Sequence, residues 1–178
     1  IICASGSLPR GVPISMYKDL IDIATNKGKK FILDTSGNAL KEGMKASPFL
    51  IKPNKDELGN ILGTPISTDE QLVKGIKNLS RYNIGIIVVS LGSEGSLIYI
   101  NDKLYKINIP KVKTINPVGS GDSMIAGFAV AIERGYDLET MIRFASACGT
   151  ANAMESKTGK VSIENVEKLM EKISITNI

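Results

Sequence analysis

Gly85-Ile86-Ile87-Val88-Val89-Ser90 is a run of β-branched residues with no polar alternation, the pattern of a strand covered on both faces. Strands of that kind belong to parallel sheets with helices packed on either side. The residues just before it agree, because Thr68-Asp69-Glu70-Gln71 has the form of a helix cap with an acidic first turn, and the helix it starts is expected to reach about Tyr82. Upstream the alternation repeats. Ile1-Ile2-Cys3-Ala4 reads as the body of a buried strand that ends at the turn cluster Ser5-Gly6-Ser7-Leu8-Pro9-Arg10-Gly11. Ile14, Leu20, Ile21 and Ala24 then recur at helical spacing over 14–27, with Gly28 placed to end the helix. Strand 30–34, a short helix over 38–45, strand 49–52 and a helix opened by Pro53-Asn54 complete the series. Strict strand–helix alternation predicts an open parallel sheet with right-handed crossovers and ligands at the C-terminal strand ends.

The pattern changes after Ser90. Segments 96–100 and 103–107, joined at Asn101-Asp102, read as an antiparallel hairpin. A proline- and glycine-punctuated loop over 110–121 leads into three helices expected at 122–134, 138–154 and 162–173. No internal repeat, low-complexity segment or interdomain linker is visible.

The chain has 178 residues, 22 Lys and Arg against 18 Asp and Glu, a net charge of +4, and neither histidine nor tryptophan. That length suits one compact domain burying roughly 70% of the surface its unfolded form exposes. Without imidazole, Ser-His-Asp and Cys-His hydrolases, His-ligated zinc enzymes and His-relay phosphotransferases are excluded. Proton transfer near neutral pH must use a carboxylate, Lys, Cys or Tyr. No apolar stretch approaches the roughly 18 residues of a bilayer span, so a soluble protein without a membrane partner is expected. Cys3 and Cys148 have neither metal-like nor redox-like spacing, and no charged-then-apolar leader precedes the domain, which points to the cytoplasm. The positive charges are dispersed, without a basic run, and argue against a nucleic-acid partner. Ile1 in place of an initiator Met suggests the C-terminal part of a longer protein.

Three segments carry polar chemistry. Asn116-Pro117-Val118-Gly119-Ser120-Gly121-Asp122-Ser123 runs into an apolar helix. Its glycines let successive amides point into one space beside a positive helix end, forming an anion nest with Asp122 at the rim to accept a hydroxyl proton. A plain glycine turn with Asp122 as helix cap fits the spacing equally well. Neither a Walker A loop nor a dinucleotide fingerprint is present, since no Gly-Lys-Ser/Thr occurs, Met124 stands where a third glycine would, and Gly159-Lys160 is followed by Val161. Ser90-Leu91-Gly92-Ser93-Glu94-Gly95 would let nucleotide phosphates or ribose approach the backbone, or is a tight turn into the hairpin. In Lys52-Pro53-Asn54-Lys55-Asp56-Glu57-Leu58, Asn54 and Glu57 share a helix face and either hold hydrated magnesium or form a capping box.

Taken together with Ser5-Gly6-Ser7-Leu8-Pro9 and in this order, these segments resemble the PfkB (ribokinase-like) carbohydrate kinases from Ser5 to about Gly159. The branch they resemble most acts on phosphorylated ketohexoses: 1-phosphofructokinase, tagatose-6-phosphate kinase and the minor 6-phosphofructokinase. The resemblance implies a ribokinase-like three-layer α/β/α fold with a mostly parallel sheet and a C-terminal antiparallel hairpin. It implies ATP-dependent phosphoryl transfer, with fructose 1-phosphate slightly preferred over tagatose 6-phosphate as acceptor; a nucleotide-binding module without catalysis is the alternative from another class. Asp122 then matches the base, and the Gly119, Ser120 and Gly121 amides the anion hole. Asn54 and Glu57 match the element organising magnesium, with Lys52 beside it. Ser90, Leu91, Gly92, Ser93, Glu94 and Gly95 match a nucleotide loop, and Thr114, Ser146 and Thr150 fall where the family contacts ATP. Ser7 matches a residue near the sugar phosphate, and Asn116, Val118 and Asn152 lie where relatives place a monovalent cation such as potassium. The N-terminal half of the family, with much of the sugar site and the lid through which relatives form homodimers, has no counterpart before Ile1.

Overall fold

The structure, a computed structural model, describes residues 1–178. Seven strands hydrogen-bond in chain order in a mixed sheet. The residues group into two compact units, 1–91 with 97–104 and 92–96 with 105–178.

In the first unit β1 (Ile2–Ser5), β2 (Phe31–Asp34), β3 (Leu50–Ile51) and β4 (Ile86–Ser90) pair in parallel, in the registers Ile2 with Phe31, Ile32 with Leu50 and Leu50 with Ile86. Helices α1 (Met16–Asn26), α2 (Gly37–Met44), α3 (Lys55–Leu62) and α4 (Asp69–Asn78) supply the crossovers. Local chemistry sets their ends. Asn54 and Thr68 each cap their helix through a reciprocal capping box, with Glu57 and Gln71 respectively, and Gly63 ends α3 in the left-handed region at φ 76°. The core joins Ile21, Ala24, Phe31, Leu33, Ile51, Leu58, Ile76, Ile87 and Val89. Ile86 to Val89 are all buried, as the run without polar alternation required. β1 differs from expectation: Ile2 is 40% exposed, and within these 178 residues β1 pairs with β2.

β5 (Ser96–Ile100) and β6 (Lys103–Asn108) form the expected hairpin. Asn101 and Asp102 take φ 51° and 60°, the two left-handed residues of a type I′ turn. In the second unit α5 (Ser120–Glu133), α6 (Leu138–Ala153) and α7 (Ile163–Met170) surround buried Ile125, Phe128, Ile142, Ala145, Ala147, Ala151 and Leu169. Gly127 permits close packing of α5 on α6, since a Cβ there would lie 2.7 Å from Ala145 Cα. Helix 162–173 was expected to run to its end, but α7 stops at Met170 and β7 (Ser174–Asn177) pairs antiparallel with β6, Ile175 opposite Ile107. No helix is long and apolar enough to cross a membrane.

Candidate functional site

Because β1 to β4 are parallel, their C-terminal ends share one edge of the first unit. That edge collects Ser5 to Ser7, Asp34 and Thr35, Lys52 to Asn54, and Ser90. Lys52, 9% exposed, places its ammonium 3.5 Å from Asp34 Oδ1. Ser7 is exposed on a loop whose Gly6 carbonyl accepts from two hydroxyls, Thr35 at 2.7 Å and Tyr17 at 2.9 Å, while the Gly6 amide donates to Asp34 O at 3.0 Å. Asp34, Thr35 and Tyr17 are absent from the sequence-based set. The visible signal was a carboxylate ending the apolar strand Phe31-Ile32-Leu33-Asp34.

The Ser90 amide donates to Pro53 O at 3.1 Å, so the Lys52-Pro53-Asn54 segment is fastened beside the end of β4. Asn54 Oδ1 accepts from the Glu57 amide and Glu57 Oε2 from the Asn54 amide, both at 2.8 Å. The capping reading is therefore realised. It leaves the second carboxylate oxygen of half-buried Glu57 outside the box. No three His, Cys, Asp or Glu side chains gather as a metal cage. Magnesium commonly uses one or two carboxylates plus water and substrate phosphates, and Glu57 fits that pattern; Asn54 serves it by fixing Glu57.

In Ser90 to Gly95 the outer residues Gly92, Ser93 and Glu94 are exposed in a short 3₁₀ turn. Leu91 packs on the first unit's core. Gly95 is buried at φ +90°, and a Cβ would sit 2.0 Å from Ile107 O, so this glycine serves the turn into the hairpin rather than ligand approach.

In the second unit Gly119 caps α5 at φ +86°, and its carbonyl accepts the Ser123 amide at 2.8 Å. Asp122 is exposed on the first helical turn. The Ser120 amide donates to Pro117 O at 3.2 Å, closing a turn, so it is not one of three equivalent anion donors as expected. Helix geometry leaves the Gly119 and Gly121 amides without an intrahelical acceptor, at the positive end of the helix. Thr114 is exposed in the preceding loop. Ser146 corrects another expectation: it is 0% exposed within α6, and the Thr150 hydroxyl turns back onto Ser146 O at 2.8 Å. Neither hydroxyl is presented to a ligand. Burial also pushes the Cys148 thiol up to about 11, which removes it from proton transfer at neutral pH.

The residues expected near a monovalent cation, Asn116, Val118 and Asn152, are joined to one another by hydrogen bonds. Asn152, 0% exposed, accepts at Oδ1 from Ser123 Oγ at 3.2 Å and Gly159 N at 2.8 Å, and donates from Nδ2 to Val118 O at 2.9 Å and Ser120 Oγ at 3.3 Å. Asn116 Oδ1 accepts from the Val118 amide at 3.0 Å. The side-chain polar atoms of Asn116 and Asn152 are thus engaged in hydrogen bonds within the second unit.

The geometry is therefore a helix-capping glycine turn beside an exposed carboxylate in one unit, and a strand-end edge bearing a paired lysine in the other. Residues 1–165 match the family model described as pfkB family carbohydrate kinase, a span that includes every candidate site residue named above. The chain belongs to this family. It is 38% identical over 177 residues to the tagatose-6-phosphate kinase of Staphylococcus epidermidis, covering 98% of this chain and 57% of that protein. Among solved structures, a Staphylococcus aureus protein provisionally named a phosphofructokinase superposes with a TM-score of 0.90 at 30% identity, over 99% of this chain and 57% of that one. Escherichia coli phosphofructokinase-2 in complex with potassium gives 0.89 at 30% identity, over 96% and 56%. The chain thus spans somewhat more than half the length of these PfkB relatives.

Proposed function

We propose that the chain carries the nucleotide and catalytic-base portion of an ATP-dependent sugar-phosphate kinase whose acceptor is tagatose 6-phosphate. The carrying observation is the exposed Asp122 carboxylate on the first turn of α5, next to the Gly119 and Gly121 amides. Phosphoryl transfer asks little covalent chemistry of a protein; it needs positioning and charge stabilisation. Asp122 takes the proton of the acceptor hydroxyl as its oxygen bonds to the γ-phosphorus of ATP. The bond from that phosphorus to the β,γ-bridging oxygen breaks, and ADP leaves with the electron pair. The two amides stabilise charge on the transferring group's oxygens. Magnesium, when bound, neutralises phosphate charge, with Glu57 as its carboxylate. Lys52 adds a cation near the strand ends, and Gly92 to Glu94 lie free to meet the nucleotide. Ser7 contacts the sugar phosphate from the loop fastened at Gly6.

The 38% relative favours tagatose 6-phosphate, which reverses the preference for fructose 1-phosphate drawn from motifs alone. A coupled ADP-release assay on the full-length protein with tagatose 6-phosphate, fructose 6-phosphate and fructose 1-phosphate decides it. The highest kcat/KM is expected with tagatose 6-phosphate. A lead for fructose 1-phosphate would restore the other acceptor, and ATP binding without turnover on any of the three would leave only a nucleotide-binding module.

A further inference from the structure

We propose that Asn116 and Asn152 are positioning residues that aim the Gly119 amide at the transferring phosphoryl group, without either touching substrate. The inference rests on the reading of the Gly119 to Gly121 turn as the anion hole. Its physical basis is the single peptide that precedes Gly119. Val118 is gripped at both ends: its amide donates to Asn116 Oδ1 at 3.0 Å and its carbonyl accepts from Asn152 Nδ2 at 2.9 Å. No peptide in the chain is cis. In a planar trans peptide the C=O and the following N–H point in opposite directions. Tying Val118 O to Asn152 therefore turns the Gly119 N–H away from Asn152.

Both carboxamides are anchored in turn. Asn152 is 0% exposed, and its two remaining groups of contacts reach the first turn of α5, through Ser120 and Ser123, and the Gly159 amide. Asn116 Nδ2 donates to Ser156 O and Thr158 Oγ1, both at 3.4 Å. The 156–159 segment also backs the turn sterically: a Cβ at Gly119 would meet Thr158 Cγ2 at 2.7 Å and Gly159 N at 3.1 Å. A rotation of the Val118–Gly119 peptide that swung the Gly119 amide inward would break the Asn152 bond to Val118 O, while Asn116 holds the adjoining Pro117–Val118 peptide through the Val118 amide. A donor fixed before the charge develops is worth more than one that must reorganise.

The test uses the full-length protein with N152A, N152D and N116A. N152D keeps an acceptor for Ser123 and Gly159 but loses the donor to Val118 O. N116A removes the more exposed clamp and is the variant least demanding on folding. Each is expected to lower kcat about tenfold to a hundredfold while KM for ATP moves less than about threefold. Hydrogen exchange should quicken at the Val118 amide in N116A and at the Gly159 amide in N152A, with exchange in the middle of α6 unchanged. A folded N152D and N116A with wild-type kcat, or slowed turnover with unaltered exchange at Val118 and Gly159, would overturn the clamp. Failure of the kinase reading is separate: a wild-type protein that phosphorylates no ketohexose phosphate refutes that, and the exchange data still judge the clamp.

Discussion

At the scale of single residues, the site depends on which polar groups the fold leaves at the surface. Asp122 is exposed on the first turn of its helix, where an incoming hydroxyl can approach it. D122N preserves size and helix position but cannot accept a proton, so kcat should fall about 10²- to 10⁴-fold with nucleotide affinity nearly unchanged. Joint loss of both in a calorimetric titration would identify Asp122 as a structural cap instead. A second expectation concerns Tyr17, 8% exposed, one of two hydroxyls on the Gly6 carbonyl. Y17F leaves the Thr35 bond in place and should cost about 1 kcal/mol. It should raise KM for the sugar phosphate severalfold while KM for ATP stays fixed, because only the Ser5 to Ser7 loop is loosened. Tyr17 was invisible as a functional residue because its role lies in a bond to a backbone atom eleven positions away. The Asn54 and Glu57 pair was legible as two alternatives, and a capping box needs only local geometry, which is why it is realised. Asn116 and Asn152 were placed in the right neighbourhood by resemblance, but their partners are set by long-range contacts that spacing does not encode.

At the scale of elements, the boundaries that local chemistry controls were legible and those that pairing controls were not. Gly28, at φ +64°, follows α1, and the Asn101-Asp102 turn takes its left-handed pair. β7 escaped because Ile173-Ser174-Ile175-Thr176 alternates too briefly to outweigh the helical periodicity before it; only the exposed side of β6 makes it a strand. Asp137, the cap of α6, offers a pH test. The Thr140 amide and then its hydroxyl hold the carboxyl below its ordinary 3.8. A depressed carboxyl stabilises the fold above its unfolded value and loses that contribution as pH falls through the folded one. D137N still caps but carries no charge. The wild type should therefore melt higher than D137N at about pH 6, and the gap should narrow as the pH falls below the ordinary carboxyl value of 3.8. A gap independent of pH across a series of thermal melts would mean that the charge contributes nothing.

At the scale of the whole molecule, α1 carries two apolar stripes. Tyr17, Ile21 and Ala24 enter the first unit's core, whereas Met16, Leu20 and Ile23 remain 39%, 39% and 54% exposed. Only the first stripe should hold the 178-residue chain together. I21A should cost about 2 to 5 kcal/mol, as removal of a fully buried isoleucine does. L20Q with I23Q should change unfolding free energy by less than about 0.5 kcal/mol per site. Urea denaturation compares them directly, and equal losses would show that the outer stripe is packed in solution.

The same scale bears on activity. In the proposed reading the site residues of this chain serve the nucleotide phosphates, the proton and the transferring phosphoryl group, and only Ser7 is given to the sugar phosphate. The PfkB relatives have lengths of which this chain covers 57% and 56%. Catalysis of this kind gains from shutting water out and from fixing the acceptor against the base, which are properties of a closed site. The 178 residues alone should therefore bind ATP more weakly than the full-length protein and transfer phosphate to tagatose 6-phosphate at least about a hundredfold more slowly. Parallel titration and turnover on both forms give the comparison. Equal rates would mean that one loop, Ser5 to Ser7, suffices to orient the acceptor, and the sugar would then have to be read by the strand-end edge of the first unit.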